Sequence, residues 1–226
     1  MKVFKFIVGL ALIPACVAVT GALTELFRLI QSTPDRGLSP SVWGLLIGFL
    51  FWLFLYAVLP RPVRAYVLAH ELTHIVWAWM MGARIKGLRV SANSGHVKLS
   101  RTNFIITLAP YFFPFYTICV LLLYLALSAF YDMSLYEPVW LGWIGLTWSF
   151  HLTFTLSALA QKQPDIQEHG RLFSYTLIYL LNAIMVCMGI VAVTDATWEQ
   201  WTGYFLNAAV HAYAWIYTTI RQTWAG

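Results

Sequence analysis

The feature that most constrains the fold of this chain is a succession of apolar runs, each about as long as a bilayer is thick. A helix needs about 20 apolar residues to cross the hydrocarbon core. Charged residues make up only 10% of the 226 residues, against about 25% in soluble domains, so too few polar side chains are available to cover a water-facing surface. The sequence therefore predicts an all-α polytopic membrane protein with six or seven transmembrane helices, depending on whether the last run crosses the bilayer. The candidate spans are residues 4–23, 41–60, 63–81, 103–128, 139–160, 172–193 and 201–221.

The connection between the third and fourth spans has a different pattern. Leu88–Ser91 and Val97–Ser100 each alternate apolar with polar residues, and Asn93-Ser94-Gly95 between them favours a tight turn. This combination is typical of a β-hairpin. We therefore expect one β-hairpin between the third and fourth spans.

The chain has no linker, internal repeat or low-complexity segment that would divide it. We expect a single membrane-embedded domain over residues 1–226. Gly82 should end the third helix, and Pro110 and Pro114 should kink the fourth span.

The basic residues lie in short loops and form no continuous tract, so the sequence predicts no nucleic-acid partner. If the third helix runs from the outside inward, ten of the fourteen Lys and Arg residues fall on one side, together with the hairpin and the loop at 161–171. Positively charged loops mark the cytoplasmic face. This assignment leaves Lys2 and Lys5 outside. The expected location is the bacterial plasma (inner) membrane, with the active site nearer the cytoplasmic side.

Residues 69–82 read AHELTHIVWAWMMG and place three ionisable side chains in an otherwise apolar helix. His70 and His74 are four residues apart, so they lie on one face of the helix and can bind one metal ion. Glu71 projects about 100° around the helix, where it can act as general base towards a water molecule. Two imidazoles and one further ligand leave the open fourth position of a catalytic zinc site. Ionisable residues inside a span are costly and mark function, so we expect one Zn²⁺ per chain; the alternative is a hydrogen-bonded polar cluster between helices.

The third metal ligand must come from another part of the chain. Asp165, in QKQPDIQEHG (161–170), follows the fifth span and should emerge at the same depth as the two histidines. Glu168 and His169 are rival donors in the same turn. His151 and Asn182 are polar residues inside other spans, and each either supports the site or hydrogen-bonds to a neighbouring helix.

The motif HELTH on an apolar helix, the basic hairpin after it, and an aspartate about ninety residues downstream after another span resemble the site-2 protease family of intramembrane zinc metalloproteases. The likeness covers roughly residues 62–193, which it implies are the core of the domain, with additional N-terminal spans over 1–61 and a C-terminal helix over 197–226. It implies that His70, His74 and Asp165 bind zinc, that Glu71 is the general base, and that the substrate is a transmembrane or membrane-anchored protein within the lipid bilayer. The family often has Leu-Asp-Gly at the third ligand, where this chain has Pro164-Asp165-Ile166.

The hairpin has a role in this scheme, because peptide hydrolysis needs a substrate with an extended backbone. Its strand edge, at Val90, Val97 and Leu99, can pair with unwound substrate; the alternative is a simple connecting loop. A zinc-dependent endopeptidase is thus the predicted function. The competing predictions are a catalytically inactive relative that binds or scaffolds membrane proteins, and a zinc transporter, which should carry His and Asp along several spans.

Overall fold

Helices dominate the computed structural model, which describes residues 2–31, 38–91 and 94–225. These residues form two compact units: Met1–Gly37 with Ile166–Gly226 is unit 1, and Leu38–Asp165 is unit 2. The all-α class with one small hairpin is confirmed, whereas the single-domain organisation stays a prediction. The elements are α1 (Lys2–Gln31), α2 (Pro40–Val58), α3 (Val63–Met80), β1 (Ile85–Val90), β2 (Gly95–Leu99), α4 (Phe104–Leu108), α5 (Phe115–Ser128), α6 (Glu137–Leu159), α7 (Pro164–His169), α8 (Arg171–Val193) and α9 (Trp198–Ala225).

In unit 2, α2 and α6 pack side by side and run in the same direction. Gly44 and Gly48 of α2 lie against the α6 backbone, with Gly48 opposite Gly142. One turn further along, the rings of Trp52 and Phe150 lie 4.9 Å apart. A methyl group on either α2 glycine would overlap α6 backbone atoms, so these small residues are what allow the two helices to approach closely.

The helix α3, which carries the HELTH motif, leads directly into the hairpin. It ends at Met80, and Gly82 follows with φ +69°, a conformation that favours glycine, so the predicted helix stop is confirmed. β1 and β2 form an antiparallel pair in which Val90 lies opposite Gly95. The predicted hairpin is therefore confirmed, although Asn93 of its predicted turn lies outside the described residues.

The fourth apolar run is a broken helix. α4 is followed by a short 3₁₀ turn over Ala109–Tyr111, and α5 starts after a bend of 83°. Pro114 stands directly before α5. Proline has no backbone N–H and disfavours helical geometry in the residue before it, so it breaks the helix here. The predicted kink at Pro110 and Pro114 is confirmed.

In unit 1, α1 packs against α8 and runs in the same direction. Gly9 of α1 lies against the backbone of Phe173 at the start of α8. Further along, the hydroxyl groups of Thr20 and Tyr179 are 2.7 Å apart. The buried core of this unit consists of Val19, Leu26, Ala183, Cys187, Val191 and Ala196.

Three helices within the described residues are long and apolar enough to cross a membrane: α1, α2 and α8. The bent pair of α4 and α5 would be a fourth if it counts as one span. α3, α6 and α9 reach a comparable length but are less apolar, α3 because it contains the two histidines and the glutamate of the motif. The described part of the chain therefore has three helices that qualify as membrane spans by length and composition, whereas six or seven transmembrane helices stay a prediction.

The predicted side assignment of the amino-terminal lysines is wrong. Strict alternation of seven spans requires α2 to run opposite to α6 and α1 opposite to α8, but both pairs are parallel. Lys2, predicted to lie on the other side from Arg171, lines the same cavity as Arg171. The side assignment failed because it depended on this strict alternation.

Candidate metal centre

Side chains from two separate segments converge in unit 2. His70 and His74 project from successive turns of α3, and Asp165 comes from the first turn of α7. His70 Nε2 lies 3.2 Å from His74 Nε2. Asp165 Oδ2 lies 3.5 Å from His70 Nε2 and 3.8 Å from His74 Nε2. The three residues form a group whose ligand atoms can hold one metal ion.

The spacing of these three atoms can be compared with that of a zinc site. Tetrahedral zinc with bonds of about 2.0–2.2 Å separates its ligand atoms by about 3.3–3.6 Å. Of the three separations, 3.5 Å lies within this range, 3.2 Å lies just below it and 3.8 Å just above it. Imidazole and carboxylate are zinc ligands, and three of them leave one position open. The donor set and its spacing therefore fit a catalytic zinc ion.

Both histidines are oriented through their other ring nitrogen. His74 Nδ1 donates to the Ile106 carbonyl at 2.8 Å, and the Tyr66 hydroxyl lies 3.5 Å from His70 Nδ1. Metal-binding histidines commonly make such contacts, which fix the ring and direct Nε2 to the ion. Sequence reasoning missed both partners. The position of Tyr66, four residues before His70 on the same helix face, was a usable signal, whereas that of Ile106 was not.

Asp165 is held by a buried tyrosine. The Tyr111 hydroxyl donates to Asp165 Oδ2 at 3.1 Å, and Tyr111 is fully buried. Burial raises the pKa of Asp165, but its hydrogen bonds with His70 and Tyr111 and its electrostatic interactions with the two imidazoles lower that pKa by more. Asp165 therefore stays a carboxylate, which is the form that binds metal.

Glu71 is buried next to the hairpin. Glu71 is only 6% exposed, and its carboxyl group interacts electrostatically with His70, Asp165 and His96. Gly95, the first residue of β2, lies so close that a methyl group there would overlap the Glu71 side chain. The absence of a side chain at Gly95 thus allows β2 to lie directly against the carboxylate.

His151 shares a small cavity with the motif. His151, on α6, is buried and lines a cavity of about 20 Å³ together with Tyr66, His70 and Thr73. A volume of this size accommodates about one water molecule. His151 is thus near the candidate ligands, and its predicted supporting role stays a prediction.

The other predicted residues near the third ligand belong to unit 1. Glu168 is largely exposed and lies 3.9 Å from His169 Nε2, while Lys5 donates to His169 Nδ1 at 2.5 Å. Asn182 donates from Nδ2 to the carbonyl of Ile178 in its own helix. Among the described residues, the group that can hold a metal includes Asp165 and neither rival donor.

The predicted pairing residues lie on both strands of the hairpin. Val97 faces Leu88 across the sheet, and Leu99 packs against the cluster formed by Ala78, Ala83 and Ile106. Within the described residues the sheet has two strands, so each strand keeps an outer edge. Pairing of substrate with Val90, Val97 or Leu99 stays a prediction.

No protein family model, curated protein or solved structure matches this chain. The resemblance to the site-2 protease family therefore depends on the motif, the hairpin and the distant aspartate.

Proposed function

We propose that this chain is an intramembrane zinc metalloprotease of the site-2 protease type, which hydrolyses peptide bonds of membrane-anchored proteins. The observation that carries the proposal is the convergence of His70 Nε2, His74 Nε2 and Asp165 Oδ2 within 3.2–3.8 Å of one another. The two histidines lie on α3, the helix that also carries Glu71, and Asp165 comes from α7. Structural zinc sites are closed by four protein ligands, whereas a three-ligand set leaves room for a reactant.

The chemistry follows from the position of each side chain. A zinc ion held by the three ligands would supply a Lewis acid that polarises the substrate carbonyl and makes a water molecule more acidic. Glu71 accepts a proton from that water and delivers it to the leaving amine. Tyr111 and the Ile106 carbonyl keep Asp165 and His74 oriented while the substrate changes. Burial of these groups limits access of bulk water and so strengthens their electrostatic interactions.

The hairpin is the proposed substrate-positioning element. A transmembrane substrate arrives as a helix, and hydrolysis requires that a short stretch be unwound. An unwound stretch that pairs with an outer edge of the hairpin would be held extended by main-chain hydrogen bonds. The contact between Gly95 and Glu71 supports this role, because it brings the start of β2 next to the proposed base.

We further propose six membrane crossings. α1 runs parallel to α8, and α2 runs parallel to α6. If successive spans alternate in direction, both pairs are parallel only when residues 63–128 cross the membrane once. We leave the basic residues of the segment 84–101 out of the count. Of the others, seven then lie on the same side of the membrane as the Asp165 loop, and two lie on the opposite side. The positive side is cytoplasmic, so the α7 end of the site lies nearer the cytoplasm of a bacterial inner membrane. The seven are Lys2, Lys5, Arg61, Arg64, Lys162, Arg171 and Arg221, and the two are Arg28 and Arg36.

The test compares wild-type protein with Glu71→Gln, which removes the base but no proposed zinc ligand. Both proteins are produced in bacterial cells, purified for zinc analysis, and the new amino termini of membrane proteins are identified by mass spectrometry. We expect one zinc per chain in both proteins and loss of the new termini in the variant, because a positioned general base contributes about 10²- to 10⁴-fold to the rate. Glu199→Gln, an exposed glutamate on α9, is the matched control and should behave as wild type.

Two outcomes would contradict the proposal. If the same amino termini persist in Glu71→Gln, Glu71 is not the general base. If wild type binds zinc but produces no new termini, the chain is a catalytically inactive relative that binds or scaffolds membrane proteins.

A further inference from the structure

Unit 1 contains a cavity of about 340 Å³ that proteolysis does not use. It lies where α1 and α8 both begin. Val3, Phe6 and Phe173 contribute apolar walls, and Lys2 and Arg171 bring two basic side chains to the same cavity. We propose that this cavity binds an anionic phospholipid, with its phosphate on Lys2 and Arg171 and part of an acyl chain along the apolar walls.

The charge at the cavity favours an anion. Lys2 and Arg171 are exposed, so their charged ends are accessible. Lys5 adds a third positive charge, because its ammonium group donates to Nδ1 of His169, a buried residue that lines the cavity. Glu168 is the acidic neighbour, 3.9 Å from His169 Nε2 and 55% exposed at its side chain. Three basic side chains against one carboxylate leave a net positive site.

The start of α8 adds to this preference. α8 has 23 residues, and its first turn lies at the cavity. Gly170, at the N-cap of α8, provides no side-chain acceptor for those groups. The amino terminus of a helix carries partial positive charge and binds phosphate groups through its free N–H donors.

The membrane setting selects a lipid over a free phosphate ion. α1 and α8 are both long and apolar enough to cross a bilayer, so their ends lie at the depth of the phospholipid headgroups. Basic pockets between such helices are a recognised mode of anionic lipid binding. A free phosphate would satisfy the charges but leave the exposed side chains of Val3 and Phe6 uncovered, whereas a phospholipid covers both parts of the cavity.

The experiment measures lipid preference in nanodiscs of phosphatidylcholine that contain a small fraction of phosphatidylglycerol. The lipids that stay bound after transfer to detergent are quantified by native mass spectrometry. Wild type should retain phosphatidylglycerol preferentially. The Lys2→Gln/Arg171→Gln variant should bind it about 30-fold more weakly, since each basic residue near a membrane surface contributes about fivefold. Arg28→Gln/Arg221→Gln removes the same charge from exposed positions of unit 1 outside the cavity and should stay within about threefold of wild type.

Several results would overturn the proposal. If both double variants lose phosphatidylglycerol binding equally, the lipid is attracted by overall charge and not by a site. If wild type shows no preference for phosphatidylglycerol, there is no site. Displacement of phosphatidylglycerol by millimolar inorganic phosphate would identify a free-anion site. The Lys2→Arg/Arg171→Lys variant keeps both charges and controls for misfolding. It should keep the preference for phosphatidylglycerol. If this variant folds but shows no such preference, lipid binding at the cavity is also refuted.

Discussion

Replacing Tyr111 by Phe should weaken zinc binding about 10- to 100-fold while leaving the protein folded. The Tyr111 hydroxyl is buried and donates to Asp165 Oδ2 at 3.1 Å. A hydrogen bond to a charged group contributes about 1.5–3 kcal/mol, which corresponds to roughly 10- to 150-fold in an equilibrium constant. Zinc affinity falls because the Asp165 carboxylate is no longer held in the orientation that the ion requires, and loss of a partner that orients a metal ligand typically costs about 10- to 100-fold.

The assay is competition for zinc between the purified protein in detergent and a chromophoric chelator. Tyr116→Phe is the matched control: it also removes a hydroxyl, one that donates to the Ala65 carbonyl at 2.8 Å and does not contact a proposed ligand. Thermal unfolding of the metal-free proteins should show a loss of stability for both variants, about 1 kcal/mol for Tyr116→Phe and about 1.5–3 kcal/mol for Tyr111→Phe. Zinc affinity should fall only for Tyr111→Phe. Unchanged affinity there, or an equal fall for Tyr116→Phe, would refute the idea that Tyr111 orients a metal ligand.

Two further predictions concern glycines that lie against other elements. Gly95→Ala should lower cleavage about 10²-fold with zinc still bound, because the methyl group displaces Glu71 or β2 by on the order of 1 Å. Gly87→Ala, on the facing strand with open space around it, should cleave normally, and equal losses would mean that hairpin stability alone matters. Gly48→Ala should destabilise the protein by about 1–3 kcal/mol in thermal unfolding, because its methyl group overlaps the α6 backbone. Gly203→Ala, on α9 with open space, should be neutral or stabilising by up to about 1 kcal/mol, and a loss equal to that at Gly48 would contradict the close-packing argument.

The local part of the candidate site could be predicted from the sequence. The positions of His70, Glu71 and His74 on α3 follow from helical geometry alone, since residues four apart share a face. Asp165 was predicted as a ligand from its place just after a span, with Glu168 and His169 open as rivals. The structure places Asp165 within 3.8 Å of both histidines, but the ligand role itself stays a prediction.

The non-local part of the site could not be predicted. Tyr111 and Ile106 reach the candidate ligands because the fourth apolar run bends by 83°, and a run of apolar residues gives no indication of the direction after a break. For the same reason, the number of membrane crossings within residues 63–128 could not be counted from the apolar runs alone. The contact of Gly95 with Glu71 was equally hidden, because a glycine in a hairpin is expected for turn geometry alone.

The charges of the site indicate why it suits a divalent cation. Two carboxylates, Glu71 and Asp165, share this region with two imidazoles, and among the described residues the ion-pair partners of Asp165 are His70 and His74, with no Lys or Arg in reach. Because His74 Nδ1 donates to a carbonyl, its neutral ring presents a lone pair at Nε2, directly facing Nε2 of His70. A single proton between Nε2 of His70 and Nε2 of His74 would balance the charge of one carboxylate only. The other carboxylate would keep an uncompensated negative charge, which costs several kcal/mol in a buried position. An ion of charge 2+ at the shared point balances both carboxylates and accepts both lone pairs. Four ionisable groups can therefore lie within one apolar region because their charges sum to zero once such an ion is bound.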